Sequence, residues 1–252
     1  MRTHRALFGG ILLFGLASTA MGAGLNLPAC AVLRSGGGTI DLAGGGVLIG
    51  GSLDLGAGQV LDASPFAVLA GGSAQLGSGL VRVVGDWSNL GSVVAGSSQV
   101  QFRDGTGASS LLGTTAFANL SLVSASGKTY ALQSGATQTV SGALDIHGTP
   151  ALPLQIASTT PGSTAFLDLL PGGTQSIGDV GVSDVHATGQ HLAPDQTNRG
   201  GSGNDTGWFG IAAATIVEVP SLTPAGLAIL LLALGIAALG PRRNSTWRLR
   251  HD

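Results

Sequence analysis

The chain has 252 residues, of which 43 are glycine, with only 4% aromatic and 10% charged side chains. Ordinary soluble proteins carry about 7% glycine and about 25% charged residues, so this is not the composition of a typical globular enzyme. Between Gly24 and Glu218 twelve acidic side chains face five basic ones (Arg34, Arg82, Arg103, Lys128 and Arg199), a balance of −7 that excludes binding to nucleic-acid phosphates.

The first segment is a basic run, Met1 to Arg5, followed by the apolar stretch Ala6–Ala17 and the small residues Ser18–Ala23. This is the layout of a secretory signal peptide. Cleavage is expected after Ala23, with Ala20 as the alternative site; an uncleaved N-terminal anchor is the other reading of the segment.

From Gly24 the chain reads as short strands separated by glycine turns. Thr39–Leu42, Ser52–Leu55, Ala74–Leu76, Leu80–Val84 and Gln99–Phe102 come first. Asn119–Leu122, Ala143–Ile146 and Ala165–Leu169 follow. Several alternate apolar and polar residues, which points one face inward and one outward. No amphipathic helix is visible before Pro220. Val, Leu and Ile recur throughout the segment in short groups, which makes it too apolar for a disordered chain and gives it surface to bury.

An internal repeat selects the architecture. Gly50-Gly51-Ser52-Leu53-Asp54-Leu55-Gly56-Ala57-Gly58 recurs, starting at Gly71, as Gly71-Gly72-Ser73-Ala74-Gln75-Leu76-Gly77-Ser78-Gly79. Gly37–Gly45 reads as an earlier copy at a shorter offset. Periods of about 20 residues or more suggest stacked turns of a parallel β-solenoid, each burying its apolar face on the next. Glycine would supply the positive-φ corners. The expected fold is therefore all-β, a Gly-rich parallel β-solenoid (β-helix) over residues 24–210; an antiparallel β-sandwich is the alternative.

Three motifs in the middle resemble the repeats of β-helical, filament-like bacterial surface proteins. Gly85-Asp86-Trp87-Ser88-Asn89 is similar to the opening of such repeats. Gln99–Gly107 is similar to their strand and turn, and Thr115–Leu122 to their following strand. Asp205-Thr206-Gly207-Trp208-Phe209 resembles the segment that closes such domains, and the polar run Gln190–Gly207 before it reads as a loop. The resemblance implies a β-helical surface protein.

Signatures of catalysis are missing. There is no Gly-x-Ser-x-Gly nucleophile elbow and no dinucleotide-binding glycine motif. Ser126-Gly127-Lys128-Thr129 imitates the end of a phosphate-binding loop, but Leu122 stands where that loop needs glycine. One cysteine can supply neither an internal disulfide nor paired zinc thiolates. Cys30, in Leu27-Pro28-Ala29-Cys30, faintly resembles a lipoprotein attachment site. Asp184, His186, His191 and Asp195 are the best metal candidates; a polar loop is the plainer reading. Asp41, Asp54 and Asp62 could bind calcium if they sat on neighbouring turns. The glycosylation sequons at Asn119 and Asn204 would go unused in a bacterium. The expectation is no catalytic, cofactor or metal residues.

The chain ends on a linker, 211–218, and an apolar segment. No charge falls between Glu218 and Arg242. About 20 apolar residues cross a bilayer, and Lys and Arg stay on the cytoplasmic side. Arg242 and Arg243 would hold the helix end there, ahead of the tail 244–252. Val219-Pro220-Ser221-Leu222-Thr223-Pro224-Ala225-Gly226 resembles the IPTL-CTERM family of bacterial sorting signals. Pro220, Leu222 and Gly226 match its motif, Val219 and Ser221 are conservative replacements, and Ala225 replaces its Trp. The resemblance covers 219–243 and implies processing by an exosortase-type enzyme, with delivery to the cell surface of a Gram-negative bacterium. The expected protein is thus a structural or adhesive surface protein. Its partners would be the processing enzyme, the membrane and an exopolysaccharide matrix. The alternatives are a β-helical polysaccharide-active enzyme on the same route and a plain membrane-anchored protein.

Overall fold

The computed structural model describes residues 24–105 and 107–210. The chain winds through three short strands per turn. The first turn is β1 (Leu25–Leu27), β2 (Val32–Arg34) and β3 (Thr39–Asp41). The second is β4 (Val47–Ile49), β5 (Ser52–Asp54) and β6 (Gln59–Ala63). The third is β7 (Phe66–Val68), β8 (Ser73–Gln75) and β9 (Leu80–Val83). The fourth is β10 (Trp87–Asn89), β11 (Ser92–Val94) and β12 (Gln99–Phe102). The fifth is β13 (Ser109–Leu112), β14 (Thr115–Phe117) and β15 (Asn119–Val123). The sixth is β16 (Thr129–Leu132), β17 (Thr137–Val140) and β18 (Ala143–His147). The seventh is β19 (Leu154–Ser158), β20 (Ala165–Leu169) and β21 (Thr174–Gly178). β22 (Val180–Ser183) and β23 (Val185–Ala187) open the eighth.

Each strand pairs with the strand one turn away, so three faces build up side by side. The first face is one sheet of eight strands, from β1 to β22. The third is one sheet of seven, from β3 to β21. The second is split into two sheets of four, β2-β5-β8-β11 and β14-β17-β20-β23. Every named strand pairing is parallel, which rules out the antiparallel sandwich. There is no helix among the described residues.

The repeat that begins at Gly50 and again at Gly71 is one turn: Ser52 pairs with Ser73 and Leu53 with Ala74. The copy that begins at Gly37 is something else. Thr39 lies on the third face opposite Gln59, whereas Ser52 lies on the second opposite Val32. Gly37–Gly45 and Gly50–Gly58 therefore share a strand-and-corner sequence on adjacent faces, and they are not stacked copies. The turn length also drifts. Val47 pairs with Phe66 and Tyr130 with Ile156, so the later turn takes up more chain than the earlier one.

The corner between the second and third faces shows why glycine recurs. Gly56, Gly77 and Gly96 stack there with φ of 58°, 57° and 61°. Ser78 N donates to Gly56 O at 2.8 Å, and Ser97 N to Gly77 O at 2.7 Å. A Cβ on Gly77 would lie 2.2 Å from Gly56 O, and one on Gly96 would lie 2.3 Å from Gly77 O. Both the left-handed conformation and the close carbonyl demand glycine. In the fifth turn the corner shrinks to Ala118 alone, between β14 and β15. With less chain to round the corner, β14 is displaced from the line of β11, and the second face breaks there.

Inside, the stacked strands align aliphatic columns such as Val60, Val81, Val100, Leu120 and Leu144, each no more than 1% exposed. The large aromatics gather beside the break. Phe66 stacks on Trp87 at 4.7 Å, and Trp87 meets Phe117 at 5.3 Å. Trp87 Nε1 donates to Thr115 Oγ1 at 3.0 Å, which satisfies the indole N–H in the interior. The Trp87 motif thus spans the discontinuity, with β10 before it and β14 after it.

The polar run read as a loop closes the C-terminal end of the solenoid. Arg199 N donates to Val180 O, and Ala187 N to Thr206 O, both within 2.9 Å. Side-chain amides complete the cover: Asn198 Nδ2 donates to Val182 O at 2.8 Å, and Gln175 Nε2 to His191 O at 2.8 Å. Gln196 Nε2 donates to Ile177 O. Leu192, Trp208 and Phe209 are buried in this cap.

The stacked corner gives a paired prediction. Gly77→Ala should lower stability by at least about 2 kcal/mol, because the left-handed penalty of about 1–2 kcal/mol adds to the carbonyl clash. Gly135→Ala, with φ of 75° but nothing within 4 Å of its Cβ, should lose only the conformational part. Chemical denaturation of the two variants checks the difference.

Candidate functional site

Ala23, Val219, Pro220, Ser221, Leu222, Gly226, Arg242 and Arg243, the residues tied to cleavage, sorting and anchoring, lie outside the described residues. The described body offers two adjoining candidate surfaces, one at the corner where the third face turns toward the first and one on the outer side of the third face.

The first is built on Asp104, which follows β12. Gly105 N and Ser124 Oγ donate to its Oδ1 at 3.0 and 2.9 Å, and Ser126 Oγ at 2.6 Å. Ala125 N and Ser126 N donate to its Oδ2 at 2.8 and 3.1 Å. Burial pulls this carboxyl upward. The hydrogen bonds from Ser126, Ala125, Ser124 and Gly105 outweigh that and hold its pKa at about 2. Asp104 therefore gathers the 124–126 loop of the next turn onto its own.

Lys128 closes the same corner from inside. It is 5% exposed. Its Nζ donates to Val84 O at 3.0 Å and Arg103 O at 3.2 Å, and lies 5.3 Å over the Tyr130 ring. Burial lowers its pKa, and the charges of Asp104 and Asp86 oppose that. Burial likewise raises the Tyr130 hydroxyl, with Asp104 adding to the rise. The sequence that imitates a phosphate loop thus presents its lysine to two backbone carbonyls. Ser126, Gly127, Lys128 and Thr129 do line an open depression of about 760 Å³ together with Asp104 and Gly105.

The second surface is the outer side of the third face. Arg82, Gln101, Ser121, Asp145 and Ser176 stand in register on successive turns. Arg82 pairs with Asp62 at 3.7 Å. Ser121 Oγ donates to Asp145 Oδ2 at 3.0 Å. His147 Nε2 reaches Asp145 Oδ1 at 3.1 Å and Ser176 Oγ at 2.9 Å. Arg82, Gln101, Arg103, Asp104 and Ser121 border a depression of about 540 Å³. Asp62 and Asp145 are four turns apart, about 19 Å at a strand spacing of about 4.8 Å. Paired glycosidase carboxylates stand about 5–9.5 Å apart. Asp104, beside Arg103, is ionised and fully hydrogen-bonded at neutral pH, so it is unfit to donate a proton.

The metal candidates do not converge. Asp184 accepts from Asn204 Nδ2 and Gly162 N, both at 2.8 Å, and these bonds lower its pKa. It occupies a positive-φ corner between β22 and β23. His186 Nε2 bonds Asn204 Oδ1 at 3.0 Å, while His191 Nε2 bonds Phe209 O at 2.8 Å inside the cap. Asp41 and Asp62 lie on the third face and Asp54 on the second, paired with Arg34 at 3.7 Å. Among the described residues no three His, Cys, Asp or Glu side chains could hold a metal ion. Cys30 is exposed at the corner after β1.

Sequence reasoning missed the Asp104 cluster. A signal existed: Asp104-Gly105 is followed one turn later by Ser124-Ala125-Ser126, which faces it once the turn length is known. These features define a parallel β-solenoid with polar outer faces and a closed C-terminal end. No protein-family model matches the chain, and no curated protein or solved structure shows significant similarity to it.

Asp104 predicts an acid sensitivity. Its folded pKa of about 2 lies below the usual 3.8, so its contribution is present above pH 3.8 and lost as pH falls toward 2. Asp104→Asn should lower stability at neutral pH by about 1 kcal/mol, allowing for solvent screening, and flatten the loss between those pH values. Thermal melts across that range check it.

Proposed function

We propose that the protein is an exported structural or adhesive component of a bacterial cell surface or extracellular matrix, carried to its place by its two terminal signals. The observation that carries this reading is the uncharged run from Val219 to Gly240, headed by the sorting-like Val219–Gly226 segment and closed by Arg242 and Arg243. In this reading the N-terminal signal peptide leaves after Ala23 and the body is translocated. The C-terminal helix stops transfer, and an exosortase-type enzyme recognises Pro220, Leu222 and Gly226. Among the described residues no helix is long and apolar enough to cross a membrane, and this reading gives the spanning role to the C-terminal segment.

The character of the body supports a structural role. Its charged groups are dispersed and locally paired: Arg34 with Asp54, Arg82 with Asp62, Arg199 with Asp179. A long, regular outer face of Gln, Ser, Asp and His side chains suits repeated weak hydrogen bonding to an extended polysaccharide. The enzymatic alternative is less well supported, because Asp62 and Asp145 stand about 19 Å apart, Asp62 is paired with Arg82, and Asp104 is held ionised by its hydrogen bonds.

Intact-mass measurement of the protein from its host tests the reading. The wild type should begin at Gly24 and lose its tail near residue 220. A Pro220→Ala, Leu222→Ala double variant should keep the tail. If both chains run through Asp252, the segment is only an anchor.

A further inference from the structure

The two ends of the solenoid are finished differently. At the C-terminal end, residues 188–210 take up the free peptide groups of the last turn through Arg199, Asn198, Gln196 and Thr206. At the N-terminal end, Gly24 is the sole described residue before β1. Leu25 N donates to Gly46 O, and Leu27 O accepts from Gly50 N, so these residues direct their peptide groups at the second turn. Parallel pairing alternates, which points the N–H and C=O of Asn26 the other way, out of the solenoid. The same holds on the other faces. Ala31 O, Gly38 O and Leu42 N bond to the second turn, so Val32, Arg34, Thr39 and Asp41 present their peptide groups at the open end.

The core is open there too. Leu25, Leu33 and Ile40 are half-buried, although Val47, Leu53 and Val60, stacked on them, are 0% exposed. Left bare among the described residues, an edge of this kind is a template for further strand pairing.

We infer that the N-terminal turn is a self-association surface, occupied by the same turn of a second copy in a head-to-head dimer. The inference rests on the proposed removal of the signal peptide after Ala23. The mature chain then starts one residue before β1 and has no N-terminal segment to lay over its own first turn. Head-to-tail contact is refused, because the opposite end has its peptide groups already bonded. A two-fold axis across the solenoid reverses strand direction, so each open strand meets an open strand antiparallel, and outward N–H groups find outward carbonyls. Such a contact is isologous and closes at two copies, without growing into a fibre.

Cys30, exposed between β1 and β2 and alone of its kind in the chain, lies at this end and reports on it. The experiment is thiol-to-thiol cross-linking of the mature protein with a bis-maleimide, alongside its sedimentation and its N-terminal mass. A chain starting at Gly24 should sediment at twice its own mass and cross-link as a dimer, and Cys30→Ser should abolish the cross-link alone. Asn26→Pro with Thr39→Pro removes two outward donors and leaves the bonds to the second turn in place. That variant should halve the sedimenting mass and still melt in one cooperative transition, at the temperature of the wild type diluted to monomer. A chain that starts at Gly24 and stays monomeric overturns the dimer while leaving the export reading intact, and so does a polymer. A chain that retains residues 1–23 defeats the signal-peptide removal in the export reading and overturns the dimer with it.

Discussion

The stacking of one turn's backbone directly on the next governs this molecule. At the corner of Gly56, Gly77 and Gly96, amide and carbonyl meet within 2.8 Å from turn to turn, in a conformation that side chains rarely adopt. Everything else follows from holding that spacing. The strands are brought into parallel register, their alternate residues fall into columns, and the columns become a core that needs no large side chains. Stability is then the sum of many similar contacts between neighbouring turns, which suits a long body better than a compact one.

The break in the second face shows how such a lattice absorbs an irregularity. When the corner shortens to Ala118, the strand on one face slips while the strands on the other two keep their pairing. Three buried aromatics, Phe66, Trp87 and Phe117, pack together beside the break, and the one polar atom among them is bonded to Thr115. On the outer corner nearby, Asp104 and Lys128 tie backbone from adjacent turns together by charge-assisted hydrogen bonds. Interior aromatics and corner charges together compensate for the lost strand pairing.

The fold was legible because glycine corners and alternating strands are local patterns. The Gly50–Gly58 and Gly71–Gly79 copies carry the turn length in plain view, and the strands read from the chain all appear at or next to their expected ends. What escaped was set by geometry across turns. The Gly37–Gly45 copy looked like a further turn because adjacent faces share the same strand-and-corner sequence. Aspartate also takes positive φ, at the corners Asp179 and Asp184 and at the irregularity of β6 at Asp62, since a short polar side chain tolerates that region. The Gln190–Gly207 run is a loop, as its polar composition reads, but its role as a cap escaped because its bonds reach across to the preceding turn, as Asn198 does to Val182, a relation no local pattern carries. The same is true of Asp104, whose partners sit a full turn further on.

Lys128 carries a last consequence. It is the sole lysine in 252 residues, and its ammonium group is enclosed by two carbonyls and an aromatic ring. The body therefore displays no side-chain amine to its surroundings. Chemistry that joins extracellular proteins through lysine, such as isopeptide formation, aldehyde condensation or glycation, finds nothing on this surface to attack. Covalent attachment to neighbours is left to the two chain ends and to Cys30.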